Sequence, residues 1–277
     1  MKYKIFDATG MVAMEKNGKW GLYLFQEDND ELVPASFAKD VQFLDVYEEQ
    51  NLVVTPEGVF TLFGEKVVEY DGKAEIVTTP MFTLIVTKGG RYGLNIVIWY
   101  GEKILFQTSC TDYRHSDKYL ALKHGTIWSL YHLNGELIEE AAFDADNVEI
   151  HRDFIVTLDF GRQGLYSLKK KCFLKKNQLK ILCSDSADLA LCAEIGNKML
   201  NVYSYGRWHA IPMEDEFGFV NGLDHMFYIK RGKKLFVYDE DVHRFMRHLY
   251  PDGVDFISCE NGVLLLVNRN KPEFLQR

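Results

Sequence analysis

The phrase Gly18-Lys-Trp-Gly-Leu-Tyr23 returns as Gly90-Arg-Tyr-Gly-Leu-Asn95 and again as Gly161-Arg-Gln-Gly-Leu-Tyr166. Weaker copies are Gly58-Val-Phe-Thr-Leu-Phe63, Gly125-Thr-Ile-Trp-Ser-Leu-Tyr131, Gly196-Asn-Lys-Met-Leu-Asn-Val-Tyr203, Gly232-Lys-Lys-Leu-Phe-Val-Tyr238 and Gly262-Val-Leu-Leu-Leu-Val267. The leading glycines of these eight copies are spaced 30 to 40 residues apart, with a period of about 35. A repeat of this length is the signature of solenoids, propellers and other arrays. Eight such units account for the 277 residues, so the sequence reads as one repeat-built domain over 1–277.

Within a unit, the residues before the glycine form a short run rich in β-branched and aromatic side chains, as in Asn51-Leu-Val-Val-Thr55, Phe82-Thr-Leu-Ile-Val-Thr87, Phe154-Ile-Val-Thr157 and Met226-Phe-Tyr-Ile229. These runs have strand length and fall short of the roughly 10–12 residues of a helix. Glycine at the hinge suits the positive φ of a tight hairpin turn. A second strand follows, as in Val59-Phe-Thr-Leu-Phe63 or Leu235-Phe-Val-Tyr238. A second turn, Gly64-Glu-Lys66, Gly101-Glu-Lys103 or Asn134-Gly-Glu136, then opens a third strand such as Lys66-Val-Val-Glu69 or Lys103-Ile-Leu-Phe106. A fourth fits before the next hairpin, as in Val41-Gln-Phe-Leu-Asp-Val-Tyr47, Ala74-Glu-Ile-Val-Thr78, Val148-Glu-Ile-His151 and Phe217-Gly-Phe-Val220.

Four short antiparallel strands per unit make a propeller blade, and radial closure protects strand edges that an open array would expose. The sequence therefore predicts an all-β propeller of small four-stranded blades, about eight in number. Seven is the alternative, because the last unit, Asp255-Phe-Ile-Ser-Cys259 and Val263 to Val267 followed by Glu273-Phe-Leu275, is short. The sequence leaves open whether Tyr3-Lys-Ile-Phe6 completes that last sheet.

Gly18-Lys-Trp-Gly-Leu-Tyr23 resembles the core of the bacterial WG repeat, also called the KWG repeat, whose hallmark is Gly-Lys-Trp-Gly followed by Leu or Ile and an NGE-like turn. Gly90-Arg-Tyr-Gly-Leu-Asn95 keeps the pattern with Tyr92 for Trp, Gly161-Arg-Gln-Gly-Leu-Tyr166 carries Gln163 there, and the remaining units lose the second glycine. The resemblance implies a β-rich, propeller-like fold and a role as an interaction domain. WD-repeat and kelch propellers match less well, since neither a Gly-His…Trp-Asp pair nor a Gly-Gly doublet recurs in each unit.

Composition narrows the function classes. With 47% hydrophobic and 14% aromatic residues the chain has too much apolar surface to remain disordered. Forty Asp and Glu against 32 Lys and Arg give a net charge of −8, which offers phosphate backbones no long-range attraction, so no nucleic-acid partner is expected. The five cysteines are odd in number and lack CxxC spacing, which argues against a disulfide framework and a zinc site. Lys2 and Lys4 are followed by no apolar run of signal-peptide length, and the longest apolar runs, Ile96-Val-Ile-Trp-Tyr100 and Val263-Leu-Leu-Leu-Val267, are far too short to span a bilayer. A cytoplasmic location without a membrane span is expected, with export lacking a cleaved signal as the alternative.

Chemistry-bearing residues are scattered. The eight histidines, at 115, 124, 132, 151, 209, 225, 243 and 248, contain no HExxH pair, and the five-residue offset of His243 and His248 places them on opposite faces of a strand. No Gly-x-Ser-x-Gly elbow occurs and no Cys stands near a base in sequence. Glu27-Asp-Asn-Asp-Glu31 and Asp144-Ala-Asp-Asn-Val-Glu149 carry carboxylates suited to calcium but lack the EF-hand spacing, so solvated hairpin tips explain them better. Lys169-Lys-Lys171 with Lys175, Lys176 and Lys180 is the one dense basic stretch, read as a charged strand edge that discourages pairing, against docking of an acidic partner or RNA. Trp20, Tyr23, Phe60, Phe63, Tyr92, Trp128, Tyr131, Tyr166, Tyr203 and Tyr238 recur at unit centres as core residues or as the lining of a binding mouth.

The expectation is thus a non-enzymatic scaffold that holds another protein or a peptide on a propeller face, as a monomer and with no catalytic residue, metal or cofactor assigned. The alternatives are a propeller enzyme or lectin-like protein acting on a glycan or other polar small molecule, through carboxylates brought together from different blades, and a bacterial effector or immunity-type protein. Convergent carboxylates at one mouth would favour the enzyme, and an exposed apolar patch on a rim would favour the scaffold.

Overall fold

A computed structural model of the protein describes residues 2–6, 9–26, 31–70, 74–89, 93–194, 196–213, 216–220, 223–239, 247–248, 254–260 and 263–267, the last three segments as backbone. Glu27 to Asp30, Gly90, Tyr92, His243, Gly262 and Glu273 to Leu275, singled out above, lie outside the described residues. The described chain is antiparallel β-sheet with two short 3-10 turns, Ser36–Ala38 and Glu48–Gln50. It divides into two compact units, 1–142 and 143–277.

In the first unit, β1 (Lys2–Phe6), β2 (Met11–Lys16), β3 (Lys19–Gln26) and β4 (Glu31–Pro34) form the first sheet. The second comprises β5 (Asp45–Tyr47), β6 (Leu52–Thr55), β7 (Gly58–Thr61) and β8 (Lys66–Val68). The third comprises β9 (Ala74–Thr78), β10 (Thr83–Lys88), β11 (Leu94–Tyr100) and β12 (Lys103–Cys110). The fourth comprises β13 (Asp112–His115), β14 (Tyr119–His124), β15 (Ile127–His132) and β16 (Leu137–Asp144), whose last two residues already belong to the second unit.

In the second unit, β17 (Asn147–Ile150), β18 (Phe154–Asp159), β19 (Arg162–Ser167) and β20 (Cys172–Gln178) form the fifth sheet. The sixth comprises β21 (Lys180–Cys183), β22 (Leu189–Ala193), β23 (Met199–Ser204) and β24 (Arg207–Pro212). The seventh contains β25 (Glu216–Val220), β26 (Leu223–Arg231), β27 (Lys234–Asp239), β28 (Arg247–His248), β29 (Val254–Glu260) and β30 (Val263–Val267). The first six sheets are up-and-down meanders in chain order, and in the seventh β27 pairs with β26 and with both β28 and β29; the fold class is the all-β propeller type, with seven sheets among the described residues.

The count corrects the preferred eight to the alternative seven. Among the described residues the Gly262 unit contributes two strands, β29 and β30, and a lone hairpin is marginal in water. It attaches to the preceding sheet through Lys234↔Asp255 and Leu235↔Val254. The other end is also decided: β1 pairs with β2 from Lys2↔Glu15 to Phe6↔Met11, as the first strand of the first sheet. The phase of the repeat shifts by one strand, because each segment read as the fourth strand of a unit, such as Ala74 to Thr78, pairs with the hairpin that follows it.

The middle strands of the sheets are buried on both faces. All four residues of β6 and of β7 are buried, as are Thr83 to Thr87 of β10 and all of β22. Such strands read as continuous apolar runs, and successive side chains serve different neighbours. Val53 packs with Leu22 and Ala13 of the first sheet, while Leu52 and Val54 pack with Ile85 and Val97 of the third. Leu84 and Val86 turn the other way, onto Leu120 and Leu122 of the fourth. In the second unit, Phe154 and Val156 meet Ala190 and Cys192, and Leu191 meets Phe217 and Phe227. Each of these cores therefore lies between consecutive sheets, the arrangement that lets repeat units bury faces they cannot bury alone.

The recurring phrase has two physical parts. Its first glycine adopts the left-handed turn conformation: Gly18 has φ 77° after Asn17 at 55°, and Gly161 has φ 74° after Phe160 at 44°. Its second glycine makes room for side chains in two copies: a Cβ on Gly21 would stand 2.9 Å from Tyr23 Cε2, and one on Gly164 would stand 2.6 Å from Thr157 Oγ1 and 3.0 Å from Phe173 Cε1, whereas Gly93 has φ 102° and open space. A methyl group at Gly18 or Gly161 meets nothing within 4 Å, so substitution there isolates backbone strain. Gly18→Val and Gly161→Val are each expected to lower unfolding free energy by about 1–3 kcal/mol, and Gly18→Asn by less because Asn tolerates this region. Urea denaturation checks this, and unchanged midpoints in both Val variants would refute the turn assignment.

Candidate functional site

The rim between the second and third sheets holds an open cup of about 520 Å3. Its walls come from the 3-10 turn after β5, the turn between β9 and β10, and the end of β11 with its following turn. These are loop and strand-end positions over a packed core, where binding residues can be exposed without disturbing the fold.

Asn51 organises one wall. It follows the 3-10 turn in the left-handed conformation, φ 55°, with its amide donating to the Glu48 carbonyl. Its Oδ1 accepts the Leu62 amide at 3.2 Å, and its Nδ2 donates to Glu102 Oε1 at 2.6 Å. Glu102 is itself held at φ 66° beside Gly101 at 51°, the paired positive φ values of a tight hairpin turn. One amide side chain thus connects the second sheet to the carboxylate of the third.

Trp99 makes the floor. It is 6% exposed, packs with Leu52, Val54 and Tyr70, and donates its indole N–H to the Gln50 carbonyl at 3.0 Å. The β11–β12 register slips between Ile98 and Trp99, so that Leu105 has no partner opposite it. A bulge of this kind re-aims the local side chains. On the far wall the Thr79 hydroxyl and the Phe82 backbone bond reciprocally, at 2.7 and 3.0 Å, closing the turn that carries Pro80 and Met81. Phe82 lies 5.3 Å from Tyr100, ring centre to ring centre. Met81 is 64% exposed and Tyr100 52%.

The cup combines an aromatic and thioether wall, a satisfied indole floor and the carboxylates of Glu49 and Glu102, with no Lys or Arg in its lining. It can hold a group that stacks on a ring and presents positive charge or donors to carboxylates. Sequence reading missed it because Gln50, Asn51, Trp99 and Glu102 stand in segments read only as strands and turns. The one local signal was the Trp-Tyr-Gly-Glu run closing an apolar strand at 99–102.

The sequence-weighed residues fall elsewhere. Phe60, Trp128, Tyr166 and Tyr203 are core, whereas Phe63 is 80% exposed. His151 lies between Asp185, 3.0 Å from Nδ1, and Glu149, 3.8 Å from Nε2. His124 Nε2 contacts the Ser109 carbonyl at 2.8 Å, and His225 Nε2 is 4.0 Å from Asp239. Among the described residues no group of three or more His, Cys, Asp or Glu gathers to hold a metal ion. In the acidic turn at 144–149, Asp146 accepts the Phe160 amide and Asn147 the Val148 amide, so both cap turns. Lys175 and Lys176 lie on β20, which ends the fifth sheet, and the lysines of that stretch rest on rings: Lys170 over Tyr203, Lys175 over Trp208, Lys176 over Phe173 and Lys180 over Phe217. Lys175 also bonds Glu194 at 2.9 Å, holding that carboxyl below its usual range.

No family model and no curated protein matches the chain. Among solved structures, the chain is similar to Hsv2 of Kluyveromyces lactis at 8% identity, covering 90% of this chain and 97% of that one, with a TM-score of 0.37. A protein of unknown function from Desulfotomaculum acetoxidans matches at 11% identity, 87% and 98% coverage and a TM-score of 0.33. A eukaryotic initiation factor matches at 7% identity, 90% and 78% coverage and a TM-score of 0.38. The fold class rests on the sheet order itself. Among the described residues no helix is long and apolar enough to cross a membrane.

The thiols yield a direct test of how the sheets pack. Burial pushes Cys110 up to about 11 and Cys192 up to about 12, and raises Cys183 well above its usual value, whereas Cys172 is exposed. Raised values keep a thiol protonated and unreactive. At about pH 8, iodoacetamide is expected to modify Cys172 and to leave Cys110, Cys183 and Cys192 untouched until denaturant is added. Peptide mapping by mass spectrometry reads the result, and rapid labelling of Cys183 or Cys192 in the native protein would contradict the packing of the fifth and sixth sheets.

Proposed function

We propose that the protein is a non-enzymatic binding scaffold of the propeller class, and that the cup between its second and third sheets holds a protein or peptide partner. The observation that carries this reading is the pairing of exposed Met81 and Tyr100 with a floor whose polar groups are already satisfied. Tyr and Met are enriched where proteins meet, and an indole N–H already donated to the Gln50 carbonyl leaves the floor to offer a ligand its ring surface. The Gly-Lys-Trp-Gly phrase at 18–21 supports placing the chain with WG-repeat proteins.

The test is affinity capture from the native source with the tagged chain and with a Met81→Ser/Tyr100→Ala double variant. Both side chains are exposed, so the variant should melt at the wild-type temperature. A stoichiometric partner retained by the wild type is expected to fall about tenfold or more on the variant, a loss of roughly 1.4 kcal/mol. Equal retention by both would move the partner off the cup. Turnover of a panel of chromogenic glycosides would replace the scaffold with the enzyme alternative.

A further inference from the structure

We infer that the occupant of the cup is the cationic side chain, Lys or Arg, of a basic peptide segment of the partner. The inference rests on the scaffold reading above and adds the chemistry of what is held. Glu49 and Glu102 both line one small volume, and among the described residues no Lys or Arg lines it. Glu102 gives one oxygen to Asn51 and keeps the other for a donor from outside, while its turn and the Asn51 bond hold it in place. Beside them the half-exposed Tyr100 ring, braced by Phe82, offers a π face. A cation set over an aromatic face and next to a carboxylate gains from the ring quadrupole and from a charge-assisted hydrogen bond together.

The protein already uses this pairing internally. Lys176 Nζ stands 4.3 Å from the Phe173 ring centre, Arg231 4.8 Å from Phe236, and Lys175 lies over Trp208 while bonding Glu194. The cup has the same ring and carboxylate without a cation of its own. The net charge of −8 would draw a basic segment toward the protein before contact. A peptide fits better than a free amine because Met81 and Tyr100 extend the apolar wall beyond the reach of a single ammonium group and offer area to its neighbours along a chain.

The experiment selects a phage-displayed random dodecapeptide library on the full-length chain and measures the enriched peptides by fluorescence anisotropy. It uses the wild type, a Glu49→Gln/Glu102→Gln variant and a Tyr100→Ala variant, all checked for unchanged thermal melting. Enriched peptides are expected to contain Lys or Arg. They should weaken about tenfold or more on either variant, and weaken further as NaCl rises from about 0.05 to 0.5 M. Neutral or acidic peptides, or sugars from a parallel glycan array, that depend on Tyr100 but not on the carboxylates would overturn the cationic occupant and leave the cup as a binding site. Peptides that ignore both variants would overturn the site itself, and with it the proposed scaffold surface.

Discussion

The structure depends on strands that have no solvent face. A strand such as Leu84-Ile-Val-Thr87 has apolar side chains on both sides of its sheet, and water can cover neither side without a cost of about 25 cal/mol per Å2 of apolar surface. Each sheet therefore needs a neighbour before and after it. Leu84 and Val86 point to one neighbour and Ile85 to the other, so a shift of one residue in register would exchange the two cores. In their own hairpins, β2–β3 and β18–β19, the tight turns at Gly18 and Gly161 hold the register by allowing no slack between the paired strands.

The cup follows from the same packing. Where the second and third sheets meet, the core continues upward as far as Trp99 and then gives way to turns. Two hydrogen bonds cross the gap at that height, Trp99 to Gln50 and Asn51 to Glu102, so the rim is held by the sheets themselves. Glu102 stands in a hairpin turn and Asn51 just past a 3-10 turn, both with positive φ. A rim that sets an exposed Met and Tyr beside bonded turns suits recognition, because Tyr and Met are enriched where proteins meet.

Much of the architecture was legible in the chain. The described hinge glycines at 18, 58, 125, 161, 196 and 232, the strand-length apolar runs and the second turns at 64–66, 101–103 and 134–136 mark real hairpins, because these features are local and backbone geometry enforces them within a few residues. The phase of the repeat was not legible: a strand such as Ala74 to Thr78 has equal claim on the hairpin before and the hairpin after it, and only pairing decides. The number of sheets was underdetermined for the same reason, since a two-strand remnant reads like a unit until its partner is known.

The sequence by itself determined the all-β repeat, its period and its turn chemistry, since periodicity and positive-φ positions are properties of neighbours along the chain. The tertiary structure alone decided seven sheets over eight, which aromatics are core and which are surface, and the meeting of Asn51, Met81, Trp99 and Glu102 around one cavity. Those residues come from two different sheets and three turns, and no spacing rule connects them. Their proximity results from two sheets packing face to face, a constraint that acts through space and leaves no period in the sequence.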